Sequence, residues 1–168
     1  SFTGTAFLGL RPWQGGELYL NPEVAEGKPL SGLQGFGGFT NGEMARSSGP
    51  TLKLYRARLF LRQTWGMGGG QEKVESDQNQ LAGSVDKRRF VLTAGNLAVT
   101  DIFDANSYIH DPRTHFMNWS IMTQGAYDFA ADARGYTWGL AGEWFYDDWV
   151  VRAGRFIEPV QPNMQPLD

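Results

Sequence analysis

The chain has 168 residues, a net charge of −3, 14% aromatics, 20% charged residues, 22 glycines and no cysteine. That length suits one domain with a core, the charge argues against nucleic acid as the main partner, and disulfides, thiolate metal sites and thiol nucleophiles are excluded. No run of about eighteen apolar residues occurs, which rules out a transmembrane helix and leaves a soluble all-β protein or a β-barrel.

In chain order, residues 1–13 alternate loosely, with Phe2, Ala6, Leu8 and Leu10 on one parity and Thr3, Thr5, Phe7 and Arg11 on the other. Gln14-Gly15-Gly16 suits a tight turn. Glu17 to Leu20 restarts a strand, and Asn21-Pro22 is expected to end its regular pairing. Residues 22–50 are glycine-rich yet hold Leu30, Leu33, Phe36 and Phe39, so this long loop is expected to fold back onto or into the protein.

Leu54 to Trp65 is the most informative stretch. At period two it puts Tyr55, Ala57, Leu59, Leu61, Gln63 and Trp65 on one face and Arg56, Arg58, Phe60, Arg62 and Thr64 on the other. Tyr55 and Trp65 are separated by about 33 Å at 3.3 Å per residue. Tilted as barrel strands are, that covers the ~25 Å apolar band of an outer-membrane barrel. The pattern predicts a transmembrane strand with an aromatic near each end of one face and guanidiniums on the other. The plainer rival is a solvated arginine face on a soluble sheet.

Residues 66–86 are polar and read as a solvent loop, and 87–100 as a strand of weak alternation whose faces cannot be assigned. Residues 101–134 mix polar groups with aromatics without a period. Asp101, Asp104 and Asp111 match no calcium-loop spacing, and His110 with His115 is too few ligands for a metal. No cofactor is expected. The glycines of 35–42 lack a phosphate-loop lysine pattern, which argues against a nucleotide.

The last pair is a hairpin. Tyr136, Trp138, Leu140, Gly142, Trp144 and Tyr146 share one parity; Asp147-Asp148 forms the turn; Trp149 to Ile157 returns. A two-residue turn sets Trp144 opposite Val151 and Glu143 opposite Arg152 on the non-apolar face, as a polar lumen requires. Arg155 falls on the apolar parity, which calls for a bulge at Gly154 or a different register.

Several segments together resemble the carbohydrate-selective porins of Gram-negative outer membranes, the OprB type. They are Gly16 to Glu23, Ala57 to Thr64, Val99 to Asp104, His110 to Thr114, Asn118-Trp119, Ala131 to Gly139 and Arg152 to Phe156, in family order across nearly the whole chain. The resemblance implies an all-β fold: an antiparallel transmembrane β-barrel of about sixteen strands around a water-filled channel. It also implies passive, selective diffusion of sugars such as glucose, with arginines narrowing the passage and no enzymatic step. Residues 1–168 then form one partial barrel domain supplying roughly the first six to eight strands, with inward-folding loops. The remaining strands come from sequence beyond this chain or from another chain. Residue 1 is Ser, without a signal peptide, so a processed or partial chain is expected. The implied location is the outer membrane. The implied partners are mono- and oligosaccharides, outer-membrane lipid and, as one option, further copies of the chain.

The residue chemistry suits that role. A sugar needs fixed donors, acceptors and flat aromatic faces, and arginine supplies five donors in a rigid fork. The candidate channel-lining or sugar-binding residues are Arg56, Arg58, Arg62, Glu143 and Arg152, with Arg11, Glu17, Asp111, Arg113, Asn118 and Trp119 added to them. The alternative is a soluble or surface β-protein that binds or hydrolyses carbohydrate. A hydrolase would need two carboxylates converging within about 5–10 Å. A lectin-like sandwich would bury the face of Tyr55, Leu59, Leu61 and Trp65 against a second sheet.

Overall fold

A computed structural model of the protein describes residues 2–27, 51–104, 106–110, 115 and 129–161. The strands are β1 (Phe2–Thr5), β2 (Leu8–Trp13), β3 (Gly16–Glu26), β4 (Lys53–Gly66), β5 (Gln71–Val74), β6 (Gly83–Asp86), β7 (Arg89–Leu97), β8 (Thr137–Tyr146) and β9 (Trp149–Phe156), with one short helix, α1 (Thr100–Phe103). Seven strands form one antiparallel sheet in which β3, β4, β7, β8 and β9 follow one another, and β5 pairs with β6 apart from it. The loosely alternating start is a strand in two pieces. β1 pairs with the far half of β3 and β2 with its near half, so both lie along one edge. The strands do not close into a barrel, and among the described residues the β1/β2 edge and the β9 edge have no outer partner.

The register puts two kinds of surface back to back. One face carries Leu18 and Leu20, Leu59, Leu61 and Trp65, Phe90 and Leu92, Trp138, Leu140 and Trp144, and Val151. Its large side chains stay exposed, including Trp65 at 46% and Val151 at 56%. No second sheet covers it among the described residues. Near the β8–β9 turn its aromatics gather: Trp65 stacks on Phe90 at 5.8 Å, and Trp144, Tyr146 and Trp149 pack within 6.4 Å of one another. The other face carries Glu17, Tyr19, Arg58, Phe60, Arg62, Val91, Thr93, Glu143 and Arg152. The buried core sits on this polar face, where Tyr19, Phe60 and Leu97 pack with Leu81, Ile102 and Phe156.

Asn21-Pro22 does not end β3. Pairing runs on to Ala25 opposite Lys53, with a register shift at this step. Asn21 faces Arg58 while Pro22 faces Arg56, so Ala57 is an extra residue in β4. The bulge accommodates a proline that has no N–H to give the ladder. It also corrects the reading of Leu54 to Trp65. Beyond Ala57 the parity inverts, so Tyr55 turns to the polar face and its hydroxyl donates to Glu23. Arg56 goes the other way and lies over the Trp138 ring at 5.1 Å.

Residues 66–86 are not a free solvent loop. They carry the β5–β6 hairpin, whose connecting loop is anchored on the polar face. The weak strand at 87–100 becomes β7 plus α1. Its faces are set by its neighbours, with Phe90 opposite both Trp65 and Trp144, and Thr93 opposite Arg62. The final hairpin keeps the expected register without a bulge: Glu143 faces Arg152, Trp144 faces Val151, and Leu140 faces Arg155. Arg155 therefore does stand on the apolar face.

At the turn end, Arg88 donates to Asp147 from Nε at 3.0 Å and from Nη2 at 2.7 Å. That hydrogen bond holds the Asp147 carboxyl below its ordinary value. A depressed carboxyl stabilises the fold above its unfolded pKa, and the contribution is lost as pH falls through the lowered folded pKa. Arg88→Ala should return the Asp147 titration, followed by carboxyl ¹³C NMR, toward the ordinary value of about 4. An unmoved titration would show that the pair does not form in solution.

Candidate functional site

The polar face is a ladder of guanidiniums tied to carboxylates. Arg11 on β2 donates to Glu17 on β3 from Nε at 3.1 Å and Nη2 at 3.0 Å. Glu17 also accepts from the Tyr19 hydroxyl at 2.7 Å and lies 3.8 Å from Arg62. Arg58 makes a two-pronged contact with Asp101 of α1, at 2.7 and 2.8 Å. Arg152 donates to Glu143 at 2.6 Å across β8 and β9. Arg89 meets Glu72 of β5 at 2.8 Å. Such charge-assisted pairs fix each planar fork while leaving other donors free.

Aromatic rings hold the same forks from the side. Arg62 sits over Tyr19 at 5.3 Å and Phe60 at 5.5 Å, Arg58 over Tyr136 at 5.1 Å, and Arg89 over Phe145 at 4.0 Å. The face therefore offers flat rings, fixed N–H donors and carboxylate acceptors side by side.

The segment joining β4 to β7 crosses this ladder. Asn79, at its turn with φ 54°, accepts through its side-chain oxygen from Asn21 at 2.8 Å and through its backbone carbonyl from Arg62 at 3.0 Å. Arg11 donates to the Leu81 and Ala82 carbonyls at 3.2 and 2.9 Å, and the Leu81 N–H donates to the Tyr19 hydroxyl at 3.2 Å. An open cleft of 1740 Å³ lies between strap and sheet, lined by Arg11, Glu17, Arg58, Arg62, Asn79 and Glu143 among others.

The structure thus brings Arg11, Glu17 and Arg62 into one cluster, places Arg58 beside it, and pairs Glu143 with Arg152. Arg56 leaves the set because the Ala57 bulge sends it to the opposite face. Asp111, Arg113, Asn118 and Trp119 lie outside the described residues, as do residues 28–50 of the long loop. Asp101, Glu72, Asn79 and the buried Glu23, which accepts from Thr5 at 2.5 Å and from Tyr55, were missed. Asp101 and Asn79 come from connecting segments and Glu72 from a short strand read as loop, where alternation carries no signal; Glu23 shares the parity of Glu17 and Tyr19 and was lost because the strand was ended at Asn21-Pro22. Among the described residues no group of three or more His, Asp or Glu is placed to hold a metal ion.

A family model described as "Carbohydrate-selective porin, OprB family" matches residues 9–165. No curated protein and no solved structure matches the chain.

Proposed function

The chain belongs to the OprB family of carbohydrate-selective porins, and from that premise we propose that its polar face is the arginine-lined wall of a water-filled channel through which glucose and similar sugars diffuse. The observation that carries the reading is the two-sided sheet. One face exposes a belt of Trp, Phe, Leu and Val, as a lipid-facing strand surface does; the other bears the Arg11–Glu17–Arg62, Arg58–Asp101 and Arg152–Glu143 pairs. Guanidiniums locked by carboxylates and rings keep their unused donors in place. A sugar hydroxyl can exchange water for them without reorganising the wall, which favours weak, fast binding.

Open strand edges cannot persist in lipid, because no water satisfies their N–H and C=O groups. The β1/β2 and β9 edges are therefore completed by further strands, from additional sequence or another chain. The strap through Asn79 narrows the passage from one side. A hydrolase gains nothing from the geometry: Glu17, Asp101 and Glu143 each accept from an arginine, and Glu23 from Thr5 and Tyr55, which suits scaffolding better than an acid–base dyad.

The test is planar-bilayer conductance of the full-length protein with and without glucose. Ion conductance that glucose lowers in a saturable way is expected. Absence of conductance would end the channel reading, and conductance indifferent to every sugar offered would remove the carbohydrate assignment of this wall.

A further inference from the structure

Strand arginines divide by the face they occupy. Those on the polar face, Arg11, Arg58, Arg62, Arg89 and Arg152, each have a carboxylate partner. Arg56 and Arg155 stand on the apolar face, are exposed, and have no carboxylate partner among the described residues. Unpaired cations on a surface that faces hydrocarbon are costly at the membrane midplane and nearly free of cost at its edge.

Both arginines stand at the same edge. Arg56 lies 5.1 Å over the ring of Trp138, which is itself 40% exposed. Arg155 pairs with Leu140, two residues from Trp138. It is also two residues from Ile157, whose N–H donates to the Trp138 carbonyl at 2.9 Å. Two residues of strand are about 7 Å, within reach of an extended arginine that lifts its head toward the interface. Trp138 is the interfacial aromatic at this end, as Trp144, Tyr146 and Trp149 are at the other.

Connection lengths indicate which leaflet this edge meets. The Trp138 end carries the two longest connections, 27–52 and 98–136, whereas the opposite end has the two-residue turns 14–15 and 147–148 and the 67–88 connection, which folds onto the polar face. In outer-membrane barrels the long connections face outward and the short turns face the periplasm. The lipid at the Trp138 edge is then that of the outer leaflet.

We propose that Arg56, Trp138 and Arg155 form a binding site for the phosphate of an outer-leaflet glycolipid, with the two guanidiniums gripping the phosphate and the indole marking its depth. Arginine forks match phosphate oxygens, and such charge-assisted bonds strengthen where water is scarce. The inference rests on the porin reading for the orientation of the sheet, and its test reads lipid and conductance separately.

The full-length protein in mild detergent is mixed with bis-phosphorylated lipid A, with its dephosphorylated counterpart, or with inorganic phosphate, and bound lipid is counted by native mass spectrometry. The wild type should retain the phosphorylated lipid, and a double Arg56→Ala/Arg155→Ala variant should bind it about tenfold more weakly. The dephosphorylated lipid should bind both proteins equally weakly, and millimolar inorganic phosphate should not displace the lipid. Equal retention of phosphorylated lipid by both proteins, or preference for the dephosphorylated form, would overturn the site. Displacement by inorganic phosphate would overturn the lipid assignment. Conductance and glucose block are recorded on the same preparations. Their absence in the wild type refutes the channel, whereas their persistence in a variant that has lost the lipid separates the site from the passage.

Discussion

Arg62→Ala should raise the glucose concentration needed for half-block about tenfold and increase the open conductance, as the loss of one charge-assisted hydrogen bond of roughly 1.5 kcal/mol would do. Arg62 links the strap to the polar face. Its Nη1 donates to the Asn79 carbonyl at 3.0 Å and lies 3.8 Å from Glu17, and its plane covers Tyr19 and Phe60. Its Nε and Nη2 have no partner among the described residues, which on the proposed channel reading leaves them for a sugar. On that reading the substitution removes a sugar donor, and it also removes one of the ties that hold the strap across the cleft. Asn21→Ala, which removes the 2.8 Å tie to Asn79 and leaves the Arg62 guanidinium in place, separates the two effects: it should raise conductance and leave glucose affinity close to wild type. If Arg62→Ala leaves both block and conductance unchanged, the wall of the passage lies elsewhere.

Gly95→Val should abolish folding into a heat-modifiable barrel, with a cost of roughly 3–5 kcal/mol from backbone strain and overpacking together. Gly95 has φ 139°, a backbone conformation that disfavours any side chain. A Cβ there would lie 2.7 Å from the Phe60 Cα and collide with the Leu59 carbonyl oxygen. The position belongs to one lateral row, Tyr19, Phe60, Gly95, Gly139 and Phe156, read across five strands. A Cβ at Gly139 would similarly meet the Arg155 carbonyl at 2.8 Å. The two glycines leave room for the rings of Phe60 and Phe156, and those rings seat Arg62 and α1. The measurement is the gel shift between heated and unheated refolded protein. A Gly95→Val protein that keeps the folded band would show that the row tolerates a side chain.

Much of the fold was legible in the residues because a strand's period is local. The Tyr136 to Ile157 hairpin could be registered from its two-residue turn alone, and the Glu143–Arg152 pair followed without any tertiary information. Arg155 fell on the apolar parity in the sequence and does so in the structure. Between Leu59 and Trp65 alternation assigned the faces correctly. It failed at Arg56 and Tyr55 because one extra residue inverts every face beyond it, and Ala57 looks like any other small strand residue. Residues 66–86 look like a solvent loop because most of them are exposed, and the arginine contacts that anchor the segment go largely to its backbone carbonyls, which composition does not reveal.

The sequence by itself determined the all-β class, the greasy and cationic sides of β4 from Leu59 onward, the final hairpin and the resemblance to carbohydrate-selective porins, since each depends on neighbours along one or two strands. Only the tertiary structure decided which arginines share the polar face, which carboxylate holds each of them, and that Arg56 stands on the other face. Those partners lie on different strands, loops and a helix, as Arg58 and Asp101 do across β4 and α1, and their meeting depends on register, a bulge and the course of connecting segments. The chemistry of the face is thus written in residue types, and its geometry in how the strands are laid side by side.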